Sequence, residues 1–200
     1  MSGKVFSALA VSVDGYITGR DPGPGRGLGD GGTLFDWYFD GDVPSRVFDS
    51  FKLHEPSVRF FDAVAGRVGA TVAGRNTYED SDRFGDDGTP HPTAPLFVVS
   101  HRPAPRMVGP RQRLITTGPA DAIAAARDAA EGKDVALMGG VLVTEALKAG
   151  LVDELILHQV PVLLGAGRRY FHSLPAHIRL RLLEAVPAPG VTHLHYEVVR

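Results

Sequence analysis

The sequence predicts an α/β protein whose mainly parallel sheet ends in an antiparallel hairpin, and three observations lead there. Short apolar runs such as VFSALAVSV, ATVAG, LFVVS and DVALMG alternate with segments of helical period, as parallel strands joined by crossover helices do. Within these runs consecutive residues are apolar, the pattern of strands covered on both faces. The last two runs, RLRLLEAV and VTHLHYEVV, meet across Pro187-Ala188-Pro189-Gly190 and read as a hairpin with a longer loop.

The elements follow in order. Residues 4–13 form the first buried strand. A Gly/Pro/Asp-rich loop over about 14–44 comes next, carrying the aromatic insert FDWYF; so long a loop usually acts as a functional lid. Its GLGDGG, Gly27 to Gly32, has the written form of the dinucleotide fingerprint. The preceding DPGPGR is no strand, so the match is set aside as chance. Pro56 suits the first turn of a helix PSVRFFDAVAGR, where Val58, Phe61, Ala65 and Val68 share a face. GATVAGRNTYE reads as a strand, a glycine turn and a helix starting near Asn76. LFVVS runs into Ser100-His101-Arg102, and residues 113–117 make a weaker strand before an Ala-rich helix over 120–130. DVALMGG is a strand stopped by two glycines, and VLVTEALKAG a helix closed by Gly150. LVDELILHQVPVLLGAG is a strand running into a Pro/Gly loop.

With 200 residues, 44% hydrophobic and 22% charged, the chain suits one soluble domain with a substantial core. A net charge of −2 gives no electrostatic reason to expect nucleic acid or membrane partners. No apolar run reaches the ~18 residues of a membrane span and no signal-peptide pattern opens the chain, so a cytoplasmic location is expected. Absence of Cys removes disulfides, thiolate nucleophiles and Cys-based zinc sites. His193 and His195 share one strand face, expected to be exposed. No third ligand stands at diagnostic spacing, so no metal is expected.

Ligands of open α/β sheets bind beyond the carboxyl ends of the strands, and three ends here carry suitable chemistry. Gly74 permits a tight turn, Asn76 or Thr77 can cap a helix, and Arg75 supplies a fixed charge. Ser100, His101 and Arg102 offer a hydroxyl, an imidazole and a guanidinium. Gly139-Gly140 opens a helix, so backbone can approach an anion at the positive end of the helix dipole. Together these favour a phosphorylated nucleotide. Ser100-His101 is no hydrolase pair, because strand neighbours point to opposite faces and no G-x-S-x-G elbow is present. Glu79 and Glu145, in helix starts, suit the dipole better than acid catalysis.

The motifs SALAVSVDGYI, AGRNTYE, VVSHRP, LMGG and GLVDELILHQVPVLLGAGRRYF resemble the dihydrofolate reductase-like superfamily over nearly the whole chain. The match is best to the reductase domain of the bifunctional riboflavin-biosynthesis deaminase-reductase and its stand-alone relatives. This resemblance implies a mixed, mainly parallel sheet of about eight strands with flanking helices, NADPH across the strand ends, and a homodimer. It also implies roles. Ala10 is the nicotinamide floor and Ile17 the loop residue covering it. Gly74, Arg75, Asn76 and Thr77 form the phosphate turn, with Thr77 near the pyrophosphate and Arg75 near the 2′-phosphate. Ser100, His101 and Arg102 form the adenosine and 2′-phosphate edge. Gly139, Gly140, Val141, Leu142 and Thr144 form the glycine turn and helix start against the pyrophosphate and nicotinamide ribose. In this superfamily the two glycines are often joined by a cis peptide.

The departures bear on substrate. No deaminase half is present, and Ala8 stands where riboflavin-pathway reductases usually carry Lys. The acceptor is then either 5-amino-6-(5-phosphoribosylamino)uracil or another small heterocyclic or carbonyl-type compound. Nicotinamide reduction needs a managed proton, commonly through a carboxylate. Asp14 and Asp42 are the catalytic candidates, with Asp36 beside them on the same loop; the alternative for each is an exposed turn aspartate. Trp37 either stacks on a flat substrate or anchors the lid to the core. Gly165 is placed on the substrate side, and the following Arg pair meets either a substrate phosphate or, preferably, a partner subunit. A non-catalytic NADP(H)-binding sensor or carrier is the alternative function. A structural dimer with an empty cleft is disfavoured, because Arg75 and Arg102 would then face each other unpaired.

Overall fold

The computed structural model describes residues 3–85, 88–102, 106–107 and 109–200; Pro103 of VVSHRP lies outside them. Along the chain stand β1 (Val5–Ser12), a 3₁₀ helix (Gly29–Tyr38), the two-residue strands β2 (Val43–Pro44) and β3 (Lys52–Leu53), and α1 (Glu55–Gly66). Then come β4 (Val68–Gly74), α2 (Arg75–Asp80), a 3₁₀ turn (Asp82–Phe84), β5 (Leu96–Val99), β6 (Gln112–Ile115) and α3 (Pro119–Ala129). β7 (Asp134–Met138), α4 (Gly140–Lys148), β8 (Glu154–Val160), β9 (Arg179–Ala188) and β10 (Val191–Val199) complete the chain.

The main sheet has eight strands in the order β6-β5-β4-β7-β1-β8-β10-β9. β1 pairs in parallel with β7 and β8, and β4 with β5 and β7. β5 and β6 are also parallel, whereas β10 runs antiparallel to both β8 and β9. After β1 the chain steps past one position to β4, winds outward through β5 and β6, and returns with β7 into the gap. That reversal between β1 and β4 is a topological switch point, where the crossovers part and leave a crevice at the strand ends.

β1 shows why a continuous apolar run suits this place. Its alternate residues serve two cores. Val5 and Val11 join the layer of α3 and α4, with Ile123, Ala126 and Val143. Phe6 and Ala10 face the other side, against Phe60, Val64 and Phe61 of α1. α1 begins with Pro56 in its first turn, as expected.

The structure corrects three expectations. The long loop is not structureless: its aromatic insert forms the 3₁₀ helix, which buries Leu34 and Trp37 against Leu53 and Phe61. Glycine-rich neighbours hid that pattern in the sequence. His193 does not lie on an exposed face but is fully buried, because α1 covers that face, with Phe60 stacked on its ring and Ser57 hydrogen-bonded to it. Among the described residues no peptide bond is cis, so Gly139-Gly140 is trans.

At the opposite end of the sheet Glu154 is buried and bound by Lys4, Arg67 and His195. Burial alone would raise its carboxyl. Hydrogen bonds from His195, Lys4 and Arg67 outweigh that and hold it well below the usual carboxylate range.

Candidate functional site

A cleft of about 1700 Å³ opens over the carboxyl ends of β1, β4 and β7, at the switch point. It has two halves of different chemistry. In the first, glycines Gly74, Gly118 and Gly139 precede α2, α3 and α4, and none of these helices has a side-chain cap. Residues 74–77, 100–102 and 139–142 all line this half, as does Pro119 at the start of α3. Amide groups of the first helical turns have no intrahelical acceptor, so uncapped turns gathered at one cleft present donors and positive dipole ends to an anion.

Glycine is required here by contact. Gly139 has φ +106, and a Cβ on it would stand 2.5 Å from Thr77 Oγ1. A Cβ on Gly140 would stand 2.2 Å from the carbonyl oxygen of Arg169. The two arginines are held in place. Arg75 donates from Nε to Glu79 Oε1 at 3.1 Å and from a terminal nitrogen to Ser100 Oγ at 3.3 Å. Arg102 donates to Asn76 Oδ1 at 2.9 Å. They therefore do not face each other unpaired, and that objection to an empty cleft falls. Glu79 pairs with Arg75 and Glu145 with Lys148, so neither caps a helix. Uncapped turns, fixed guanidiniums and close-approach glycines fit a phosphorylated dinucleotide. Thr144 stands outside the cleft and accepts from the His172 amide at 3.0 Å.

Ala8 and Ala10 of β1 lead into the second half, walled by Tyr38, Phe39, Phe48, Phe51 and Phe61. Phe48 and Phe51 stack with centroids 5.0 Å apart. Trp37 is 2% exposed, stacked under Tyr38 at 3.9 Å and edge-on to Phe61, so it anchors the lid while Tyr38 shows its face to the cleft. Ile17 lines the cleft, and its amide donates to the Arg168 carbonyl at 2.8 Å. The segment after Gly165 thus folds back beneath the Ile17 loop, and Arg168 and Arg169 face the cleft. Of the glycine-rich insert, Arg26, Gly27, Leu28, Gly29 and Gly32 form part of the rim.

The three loop aspartates are not brought to the cleft. Asp14 accepts from Ser12 Oγ at 2.6 Å and from the amides of Gly165 and Leu164 at 2.7 and 3.1 Å. The Ser12 bond leads the effects that lower its carboxyl below the ordinary value. It clamps two loops together, and Gly165 is its partner rather than a cleft residue. Asp36 is exposed and accepts from Thr33 Oγ1 at 2.9 Å, and Asp42 is exposed. Carboxylates that do line the cleft are Glu145 and Asp80, the latter 2.6 Å from Arg168. Burial raises Asp80 despite that arginine. Sequence reasoning missed Asp80 and, in the aromatic half, His91 and His158; only the position of Asp80 shortly after the Gly74 turn could have signalled one of them.

The chain matches the RibD C-terminal domain family over residues 3–194. It is 26% identical to the uncharacterized protein YwjB of Bacillus subtilis (strain 168), covering 98% of each chain. Among solved structures, the putative riboflavin biosynthesis protein of Shewanella sp. PV-4 is 27% identical, with a TM-score of 0.70 over the whole of both chains. Dihydrofolate reductase of Enterococcus faecalis, complexed with NADP(H) and RAB-propyl, has a TM-score of 0.61 at 16% identity over 100% of this chain and 99% of that one, which establishes a shared fold.

Proposed function

Because this chain belongs to the RibD C-terminal domain family, we propose that it is an NADPH-dependent reductase of a small heterocyclic or carbonyl-type substrate. One observation carries the reading: three uncapped helix starts, with Arg75 and Arg102, meet on one cleft at the switch point. NADPH bound there supplies a hydride to an acceptor carbon, whose neighbouring heteroatom takes up a proton. The protein's part is positional. The first turns of α2 and α4 receive the pyrophosphate, and Arg75 with Arg102 the 2′-phosphate. Ala10 and Ile17 hold the nicotinamide from two sides, and the aromatic half orients the acceptor and excludes water.

5-Amino-6-(5-phosphoribosylamino)uracil is the first acceptor to test. Arg26, Arg168 and Arg169 line the cleft and offer cations to a phosphate, although Ala8 brings none from β1. A homodimer belongs to the same proposal: β9 is an edge strand with exposed Leu180, Leu182 and Leu183, a surface suited to a second copy. No specific observation favours the sensor or carrier alternative. The test is oxidation of NADPH by the purified protein with this pyrimidine and a panel of small heterocycles and carbonyl compounds. Turnover with at least one acceptor, faster with NADPH than NADH, is expected; NADPH binding without any turnover would favour the carrier instead.

A further inference from the structure

The aromatic half of the cleft lacks the expected carboxylate but holds an imidazole that nothing so far has used. His158 of β8 pairs in register with Ala10 on one side and His193 of β10 on the other, which puts its ring beside the floor of the cleft that it lines. His158 Nδ1 lies 2.8 Å from His193 Nδ1, and His193 Nε2 lies 2.9 Å from Ser57 Oγ of α1. All three side chains are buried.

The positions of the hydrogens follow from what each atom can do. The Ser57 hydroxyl has one acceptor among the described residues, His193 Nε2, so it donates there. His193 must then carry its hydrogen on Nδ1. Two nitrogen lone pairs cannot face each other at 2.8 Å, so that hydrogen is given to His158 Nδ1. The His158 hydrogen is left on Nε2, which has no partner among the described residues. Burial pushes both imidazoles below their ordinary value, His193 down to about 4. Trp37, Phe60 and Phe61 surround the pair and none is charged, so both rings stay neutral. The Trp37 ring lies 5.0 Å from each imidazole, centroid to centroid, behind the cleft wall and not lining it. Once water is displaced from the cleft, a His158 Nε2–H left without an acceptor is costly, so the occupant must bring an acceptor to it.

Resting on the reductase reading above, we propose that His158 Nε2–H, fixed in this tautomer by His193 and Ser57, binds a carbonyl oxygen or ring nitrogen of a flat, neutral substrate ring. This defines the substrate class: a conjugated heterocycle with an acceptor edge, held between aromatic walls and uncharged where it meets His158. The bond strengthens as hydride arrives and charge gathers on the acceptor heteroatom, and a neutral donor already in place needs no reorganisation to meet it.

The test is long-range ¹H–¹⁵N NMR of histidine-labelled protein saturated with NADPH, before and after addition of lumazine, a flat neutral dione. Calorimetry of NADPH and of lumazine accompanies it. His158 should be protonated only at Nε2 and His193 only at Nδ1, and lumazine should shift the His158 Nε2 signal. His158→Phe, which keeps an aromatic bulk, should bind NADPH within about twofold of wild type but lumazine about tenfold more weakly. His158→Gln, which keeps an N–H, should recover part of that loss. An Nδ1-protonated or doubly protonated His158 in the wild type, or a His158 signal unmoved by lumazine, overturns the inference whether or not the variants fold. Failure of wild-type protein to bind NADPH would instead overturn the reductase reading itself, while the tautomer measurement still stands.

Discussion

At the scale of single residues, function in this cleft was legible where backbone geometry demands one residue type. Gly139 and Gly140 announce themselves because a side chain there would collide, and Gly74 with Arg75 marks another strand end. Substitution Gly139→Ala forces a Cβ toward Thr77 Oγ1 and strains a φ of +106. It should lower stability by about 1–3 kcal/mol and weaken NADPH binding, readable by thermal melting and calorimetry. The carboxylates were not legible, since an aspartate on a long loop looks alike whether it meets substrate, solvent or another loop. Asp14 meets another loop. Asp14→Asn should speed hydrogen exchange at the amides of Leu164 and Gly165, while the exposed Asp42→Asn should leave both exchange and NADPH affinity unchanged. A turnover lost in Asp42→Asn with the fold intact would restore that residue as a catalytic candidate.

Elements divide into those that periodicity reveals and those that packing creates. The strands of the main sheet and α1, α3 and α4 were evident because apolar spacing, Pro at helix starts and Gly after helix ends agree with one another, whereas the two-residue β2 and β3 left no pattern. The 3₁₀ helix was not, since only contact with α1 and β3 explains why Leu34 and Trp37 turn inward. The burial of His193 on β10 was hidden in the same way: its histidines look like a polar face until α1 is seen to pack over it. Both histidine contacts carry a pH signature. His193 is depressed to about 4 when folded against an ordinary 6.5. The unfolded chain therefore binds the proton more readily, and this contribution is complete above about pH 6.5 and lost as pH falls toward 4. At ~1.4 kcal/mol per unit it amounts to roughly 3–4 kcal/mol. Glu154 is also depressed, so its contribution is complete above the ordinary carboxylate range, ~4.3, and is lost as pH falls below it. Denaturant midpoints should thus fall in two stages on acidification, and His193→Phe should shrink only the upper one, to which the buried His158 and His91 also contribute. Glu154→Gln should cost roughly 2–4 kcal/mol at neutral pH, softened by the partial exposure of Lys4 and Arg67. A variant as stable as wild type would mean that the cluster is screened.

Across the whole molecule, chain order alone makes the site. Returning β7 between β4 and β1 opens the crevice, and three helices then begin at its edge without caps. Alternation of strands and helices revealed the class of sheet and the resemblance implied its size, but the order of strands came only with the structure, because nothing local in β7 says where it will insert. What lies outside the cleft is the bare edge at β9. Sedimentation should show a dimer that Leu182→Lys converts to monomer with NADPH affinity unchanged; a wild-type monomer at high concentration would remove the partner from the proposal. The most direct test of the central claim, that this cleft is built for NADPH, is calorimetric titration with NADPH and NADH of wild type and Arg75→Ala. A charge-assisted contact to the 2′-phosphate is worth ~1.5–3 kcal/mol, so NADPH should bind on the order of ten- to a hundredfold tighter, and Arg75→Ala should erase much of the difference. Equal affinity of the wild type for both nucleotides, or binding of neither at millimolar concentration, would contradict it.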